Sequence, residues 1–162
     1  MCIPTLRSSL VLLAVLSLSG CDLAGGGDPD VAGDYHATTL SLTQNGATTN
    51  LLAQGASLRL EVDDLDGGRG TFQGRLVVPG GTEDVDESFS GTYVALGRAT
   101  RIDDQGEEIL ADAILNFQTP PGVDPRGILA RDVAWDLVGD QLTRRSPLGE
   151  ASEVVVILER GD

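Results

Sequence analysis

Apolar and polar residues alternate with a period of two through most of this 162-residue chain. Side chains of an extended strand point alternately to opposite faces, so the pattern commits each segment to a sheet with one buried face. The stretch "ASLRLEV" puts Leu58, Leu60 and Val62 on one face, with Arg59 and Glu61 on the other. "TFQGRLVV" groups Phe72, Gly74, Leu76 and Val78, and "SFSGTYVAL" groups Phe89, Gly91, Tyr93 and Ala95. "ADAILNFQ" groups Ala113, Leu115 and Phe117. "RDVAWDLV" sets Val133, Trp135 and Leu137 against Asp132 and Asp136, which the alternation sends to solvent. "SEVVVILER" sets Val154, Val156 and Leu158 against Glu153 and Glu159. Only "AGDYHATTLSL" breaks phase, because Tyr35 and Leu40 fall on opposite parities. A β-bulge between them restores a common face.

Turn signals separate these runs. "NGATTN", "DDLDGGRG", "PGGTED" and "DDQGE" supply the Gly, Asn and Asp that accept the positive φ of tight turns. "VGDQL" predicts a two-residue hairpin loop at Gly139–Asp140, and Leu51 to Gln54 predicts a helical turn. "TPPGVDPRGI" is the longest loop, kept out of a sheet by its prolines. Short strands in sequential antiparallel order form a meander, and a meander of this size closes because closure removes exposed edges. The expected fold is all-β, a small antiparallel meander barrel of 8–9 strands, in one domain.

The start of the chain obeys a different rule. Leu10 to Leu18 is apolar except for Ser17, with Arg7 before it. A membrane-spanning helix needs roughly 20 residues, so this run has the length of a signal-peptide core instead. It ends in Leu18-Ser19-Gly20-Cys21, which resembles the lipobox of bacterial lipoproteins. That resemblance implies that Cys21 receives a diacylglycerol, that the chain is cut just before it, and that the new amino terminus is acylated. The expected organisation is a cleaved signal peptide over residues 1–20, a lipidated cysteine and flexible tether over 21–30, and the barrel over 31–162. Two or more acyl chains give firm membrane attachment without a spanning helix, and the location implied is the bacterial cell envelope. The tether "DLAGGGDPD" spans on the order of 17 Å root-mean-square. Cys2 lies in the segment that is removed, so the mature domain holds no cysteine pair.

The formal net charge is −14, and loss of residues 1–20, which carry one arginine and no acid, makes the chain more acidic still. Such a surface repels nucleic acid and anionic headgroups, which excludes nucleic acid as a partner. The basic residues are all arginine.

Gly33-Asp34-Tyr35 in the first strand and Arg160 at the end of the last resemble the calycin group, in particular small bacterial lipocalin-like lipoproteins. Lipocalins carry Gly-x-Trp in the first strand with an arginine of the last strand packed over the ring. The resemblance implies that Tyr35 takes the tryptophan position and that Arg160 closes the barrel over it, a cation–π contact of about 0.5–2 kcal/mol.

The chain carries little material for catalysis. There is a single histidine, His36, read as a strand residue facing solvent. The acidic stretch "EVDDLDGGRG" fails as a calcium loop, because with Gly67 as its glycine the first ligand position falls on Val62. Glu83, Asp84, Asp86 and Glu87 read as a solvated loop. No Gly-x-Ser-x-Gly elbow or phosphate-binding glycine loop occurs in the mature chain. The expectation is a protein that is not an enzyme and takes neither cofactor nor metal. Two functions stay open. In one, the barrel mouth takes a small hydrophobic ligand, lined by Leu58, Leu60, Phe72, Leu76 and Phe89 from the earlier strands. Tyr93, Leu115, Phe117, Trp135 and Val156 complete that lining from the later ones, with Gly74 and Gly91 leaving free volume. In the other, the barrel is solid and an envelope protein partner meets its loops, including Ile128 and Leu129.

Overall fold

A computed structural model describes residues 29–80, 84–102, 106–119, 134–149 and 152–161. Eleven strands are present among them, in chain order β1 (Gly33–Gln44), β2 (Ala47–Asn50), β3 (Ser57–Asp64), β4 (Arg69–Val78), β5 (Val85–Leu96), β6 (Ala99–Ile102), β7 (Glu108–Ala111), β8 (Ala113–Gln118), β9 (Trp135–Val138), β10 (Gln141–Gly149) and β11 (Ser152–Arg160). A one-turn 3-10 helix at Leu52–Gln54 joins β2 to β3, where a helical turn was expected.

The sheet runs β11-β10-β9-β8-β5-β4-β3-β1, all antiparallel, and β11 pairs back onto β1. This makes a closed eight-stranded barrel with β2 as an extra strand on β1. β1 is the seam: Tyr35 stands opposite Leu60 on one side and Arg160 on the other. The pairing of β1 with β11 shifts register between Ala37 and Thr39. That bulge moves Leu40 onto the inner face with Tyr35, and both are buried.

Tight turns set the register. Asn45 and Gly46 both have positive φ, at 50° and 80°, and Gln44 pairs with Ala47. This is the two-residue hairpin that Asn-Gly favours, so the stretch "ATTN" is a strand and not the remainder of a turn. Val138 likewise pairs with Gln141 across Gly139–Asp140.

The inner face is the apolar face of each strand. Leu58, Leu60 and Val62 meet Phe72, Leu76, Phe89, Leu115, Val156 and Leu158 in one buried cluster. A chain of rings crosses the interior. Phe72 packs edge-on against Phe117 at 4.8 Å between centroids, and Phe117 packs edge-on against Trp135 at 5.5 Å. The two ends of the barrel are distinct. The chain enters at the start of β1, and this entry end also holds the β3–β4 turn, the β9–β10 turn and the end of β11. The far end holds the β1–β2 turn and the 3-10 helix.

The β6–β7 hairpin leaves the entry end and does not join the barrel sheet. It lies against the outer wall, where Arg101 forks onto both carboxylate oxygens of Asp136. Asp136 therefore does not face solvent as its alternation suggested: it is 1% exposed. The period placed it correctly on the outer face, but the hairpin covers that face here.

Candidate functional site

The entry end is closed by Tyr35 and Arg160. Gly33 has φ 149°, and a Cβ there would lie 3.0 Å from both Cγ and Cδ of Arg160. The absent side chain lets the arginine stem cross the end of the barrel. Its guanidinium lies 5.4 Å from the Tyr35 ring centroid. Two of its nitrogens donate to the phenol oxygen, Nε at 3.1 Å and Nη2 at 2.9 Å. Nη2 also donates to the Asp30 carbonyl at 2.7 Å, and the phenol donates to the Val31 carbonyl at 3.0 Å. The closure is thus a hydrogen-bonded fork on an oxygen that tryptophan lacks, with the ring contact added to it. Burial pushes the Tyr35 phenol above its ordinary pKa, and the hydrogen bond from Arg160 opposes that rise.

The ten residues expected to line a cavity are all buried. The inner glycines do not leave free volume, which corrects the expectation placed on Gly74 and Gly91. A Cβ on Gly74 would lie 2.5 Å from the Phe89 ring, and one on Gly91 would lie 2.9 Å from the Phe72 ring. Gly70 makes the same allowance for Tyr93, whose Cε1 would stand 2.5 Å from a Cβ. Each glycine lies against a neighbouring strand's ring, and at Gly70 and Gly91 a backbone carbonyl oxygen comes nearer still, 2.1 Å from the Cβ position. The Tyr93 hydroxyl donates to Asp64 at 3.1 Å, and burial raises its pKa.

One charged side chain inside the barrel escaped the sequence reading. Arg144 is fully buried, with its guanidinium carbon 5.9 Å from the Trp135 ring centroid. Alternation from the buried Leu142 places it inward, so the signal was present in "QLTRR".

A concavity of about 950 Å³ lies on the outside of the wall formed by β1, β3, β4 and β5. Of the ten expected lining residues only Leu60 and Phe89 border it. Most of the other residues that border it are polar or charged, although their aliphatic stems and the backbone make its surface more apolar than polar. His36, Arg59 and Arg75 follow one another across three adjacent strands, with Glu159 opposite His36 and Ser88 opposite Arg75. Arg75 forks onto Asp86 at 2.7 and 2.6 Å, and that hydrogen-bonded pair raises the arginine's pKa and lowers the aspartate's. His36 is exposed, as its alternation indicated. Among the described residues no group of three or more His, Cys, Asp or Glu side chains is placed to hold a metal ion. No described helix is long and apolar enough to cross a membrane. Cys21, Glu83, Ile128, Leu129 and Asp132 lie outside the described residues.

The fold and its closure define a small, closed, antiparallel eight-stranded β-barrel, consistent with a lipocalin-like fold. No protein-family model matches the chain, and no curated protein matches it.

Proposed function

We propose that this chain is a non-enzymatic bacterial envelope lipoprotein, anchored through acyl chains on Cys21, whose packed barrel presents its outer surface to an envelope protein partner. The observation that carries the packed reading is the filling of the inner glycine slots by Phe89, Phe72 and Tyr93. An interior crossed by interlocked rings at these levels acts as a scaffold. The acidic surface suits a protein partner and disfavours nucleic acid. The lipobox tetrad, at the end of an apolar core of signal-peptide length, supports the anchor.

A second reading, a small ligand held inside the barrel, draws on one observation. The Trp135 indole N–H is buried without a hydrogen-bond acceptor among the described residues, and a ligand oxygen would satisfy it.

Native and denatured mass spectra of the protein purified from its own envelope separate the two. Equal masses fit the packed scaffold, and an extra mass lost on unfolding fits the ligand. Cys21→Ser tests the anchor: it should leave the chain uncut and free of acyl mass. An unchanged intact mass and membrane fraction would remove the lipoprotein reading.

A further inference from the structure

The exposed large hydrophobic side chains are distributed unevenly. Among the described residues they are Leu65, Leu96, Ile102, Leu110 and Val138, between 47% and 63% exposed. Leu65 is in the β3–β4 turn, Leu96 ends β5 and Val138 ends β9, all at the entry end. Leu110 and Ile102 stand on the hairpin that leaves this end, on the face turned away from the barrel. That orientation follows because Arg101, between Thr100 and Ile102, points inward to Asp136, and Thr100 pairs with Leu110.

The groups adjoin one another around the rim. Gly68, in the same turn as Leu65, accepts a hydrogen bond from Ala95, which precedes Leu96. Asp112, two residues beyond Leu110, donates its backbone N–H to Leu137 and accepts one from Gly139, on either side of Val138. The described far end exposes no large hydrophobic side chain.

Single exposed leucines are ordinary, but an apolar arc that, among the described residues, gathers at one end is a docking feature. We infer that the entry end rests on a lipid bilayer, with Leu65, Leu96 and Val138 at the rim reaching into the headgroup boundary and the outward face of the hairpin, with Leu110 and Ile102, beside them. The occupant follows from the chain itself. Residues 21–28 continue from this same end to the proposed acylated Cys21, and a tether spanning on the order of 17 Å holds the rim close to the membrane. Asp63, Asp66 and Asp140 at this end repel anionic lipid, so the surface fits a zwitterionic one. This inference rests on the acyl anchor proposed above.

The test uses the full, lipidated chain in phosphatidylcholine vesicles containing brominated lipid. After processing and acylation an introduced cysteine is the only free thiol. Leu65→Cys, Leu110→Cys and Val138→Cys each receive an environment-sensitive fluorophore, as do Ala47→Cys and Gln54→Cys at the far end. All five replace side chains on the protein surface, and thermal unfolding checks that each variant folds. Labels at 65, 110 and 138 should be quenched several-fold more than those at 47 and 54. Equal quenching at both ends, with the acyl mass present, overturns the docking and leaves the anchor standing. A missing acyl mass overturns the anchor and the docking with it.

Discussion

The segments Gly33-Asp34-Tyr35 and Gly91-Thr92-Tyr93 spell the same Gly-polar-Tyr pattern on two strands of one barrel, yet they do different work. In both, the tyrosine turns inward and is buried. Gly33 makes room for a flexible arginine stem, 3.0 Å from where its Cβ would be. Gly91 makes room for backbone and ring: a Cβ there would fall 2.1 Å from the Gln118 carbonyl oxygen and 2.9 Å from Phe72. The hydroxyl of Tyr35 accepts from a guanidinium, whereas that of Tyr93 donates to a carboxylate. A shared local pattern therefore fixes strand phase and a ring inside, and the partner across the sheet decides what the ring does.

The comparison breaks most visibly at the glycines. Gly91→Ala should destabilise by about 3 kcal/mol or more, because a carbonyl in a sheet ladder cannot retreat as a side chain can. Gly33→Ala should cost less, roughly 1–2 kcal/mol, from backbone strain at its positive φ with a small shift of the Arg160 stem. Denaturant unfolding of both variants checks the order, and a larger loss at Gly33 would reverse the account of the two sites.

How much of this was legible in the sequence differs by element. The period of two marked the barrel strands, because burial on one face imposes it directly. The phase break in the first strand announced the bulge near Thr38. Asn45-Gly46 was read as part of a longer turn, although this dipeptide alone closes a hairpin and frees Ala47–Asn50 to pair with β1. The β6–β7 hairpin went unread because its four-residue arms are too short to establish a period. Without it, Asp136 had no visible reason to be buried. The glycines misled for a similar reason: a missing side chain looks like space until the ring that fills it is located on another strand. Tyr35 and Arg160 were paired through a family resemblance, and the sequence carries no local sign that the phenol oxygen is the point of contact.

The next largest effect lies at that contact. Arg160→Ala removes the two donors to the Tyr35 hydroxyl and the one to the Asp30 carbonyl, and should cost about 2–3 kcal/mol. Arg160→Lys should recover only part of this, since an ammonium lacks the planar fork. Tyr35→Phe should also destabilise, by roughly 1–2 kcal/mol, because it leaves part of the guanidinium without its acceptor. Full stability of Tyr35→Phe in thermal unfolding would mean that the ring contact alone closes the barrel.

The smallest effect separates the two tyrosines by pH. Burial raises both phenol pKa values above the ordinary 10.0. For Tyr35 the Arg160 hydrogen bond pulls the value back down, whereas for Tyr93 the neighbouring Asp64 pushes it further up. A raised phenol pKa means the folded state holds its proton longer than the unfolded chain does. The stabilisation is therefore complete below pH 10.0 and is lost as the pH climbs from there towards the folded value. At neutral pH Tyr93→Phe should cost only about 1 kcal/mol, for the lost hydrogen bond. Above pH 10 its stability should fall less steeply than that of the unaltered chain, and Tyr35→Phe should change the slope less. Unfolding midpoints taken from pH 8 to pH 11 measure these slopes. Parallel curves for all three proteins would show that the two phenols share one environment, and the distinction between a guanidinium partner and a carboxylate partner would lose its energetic content.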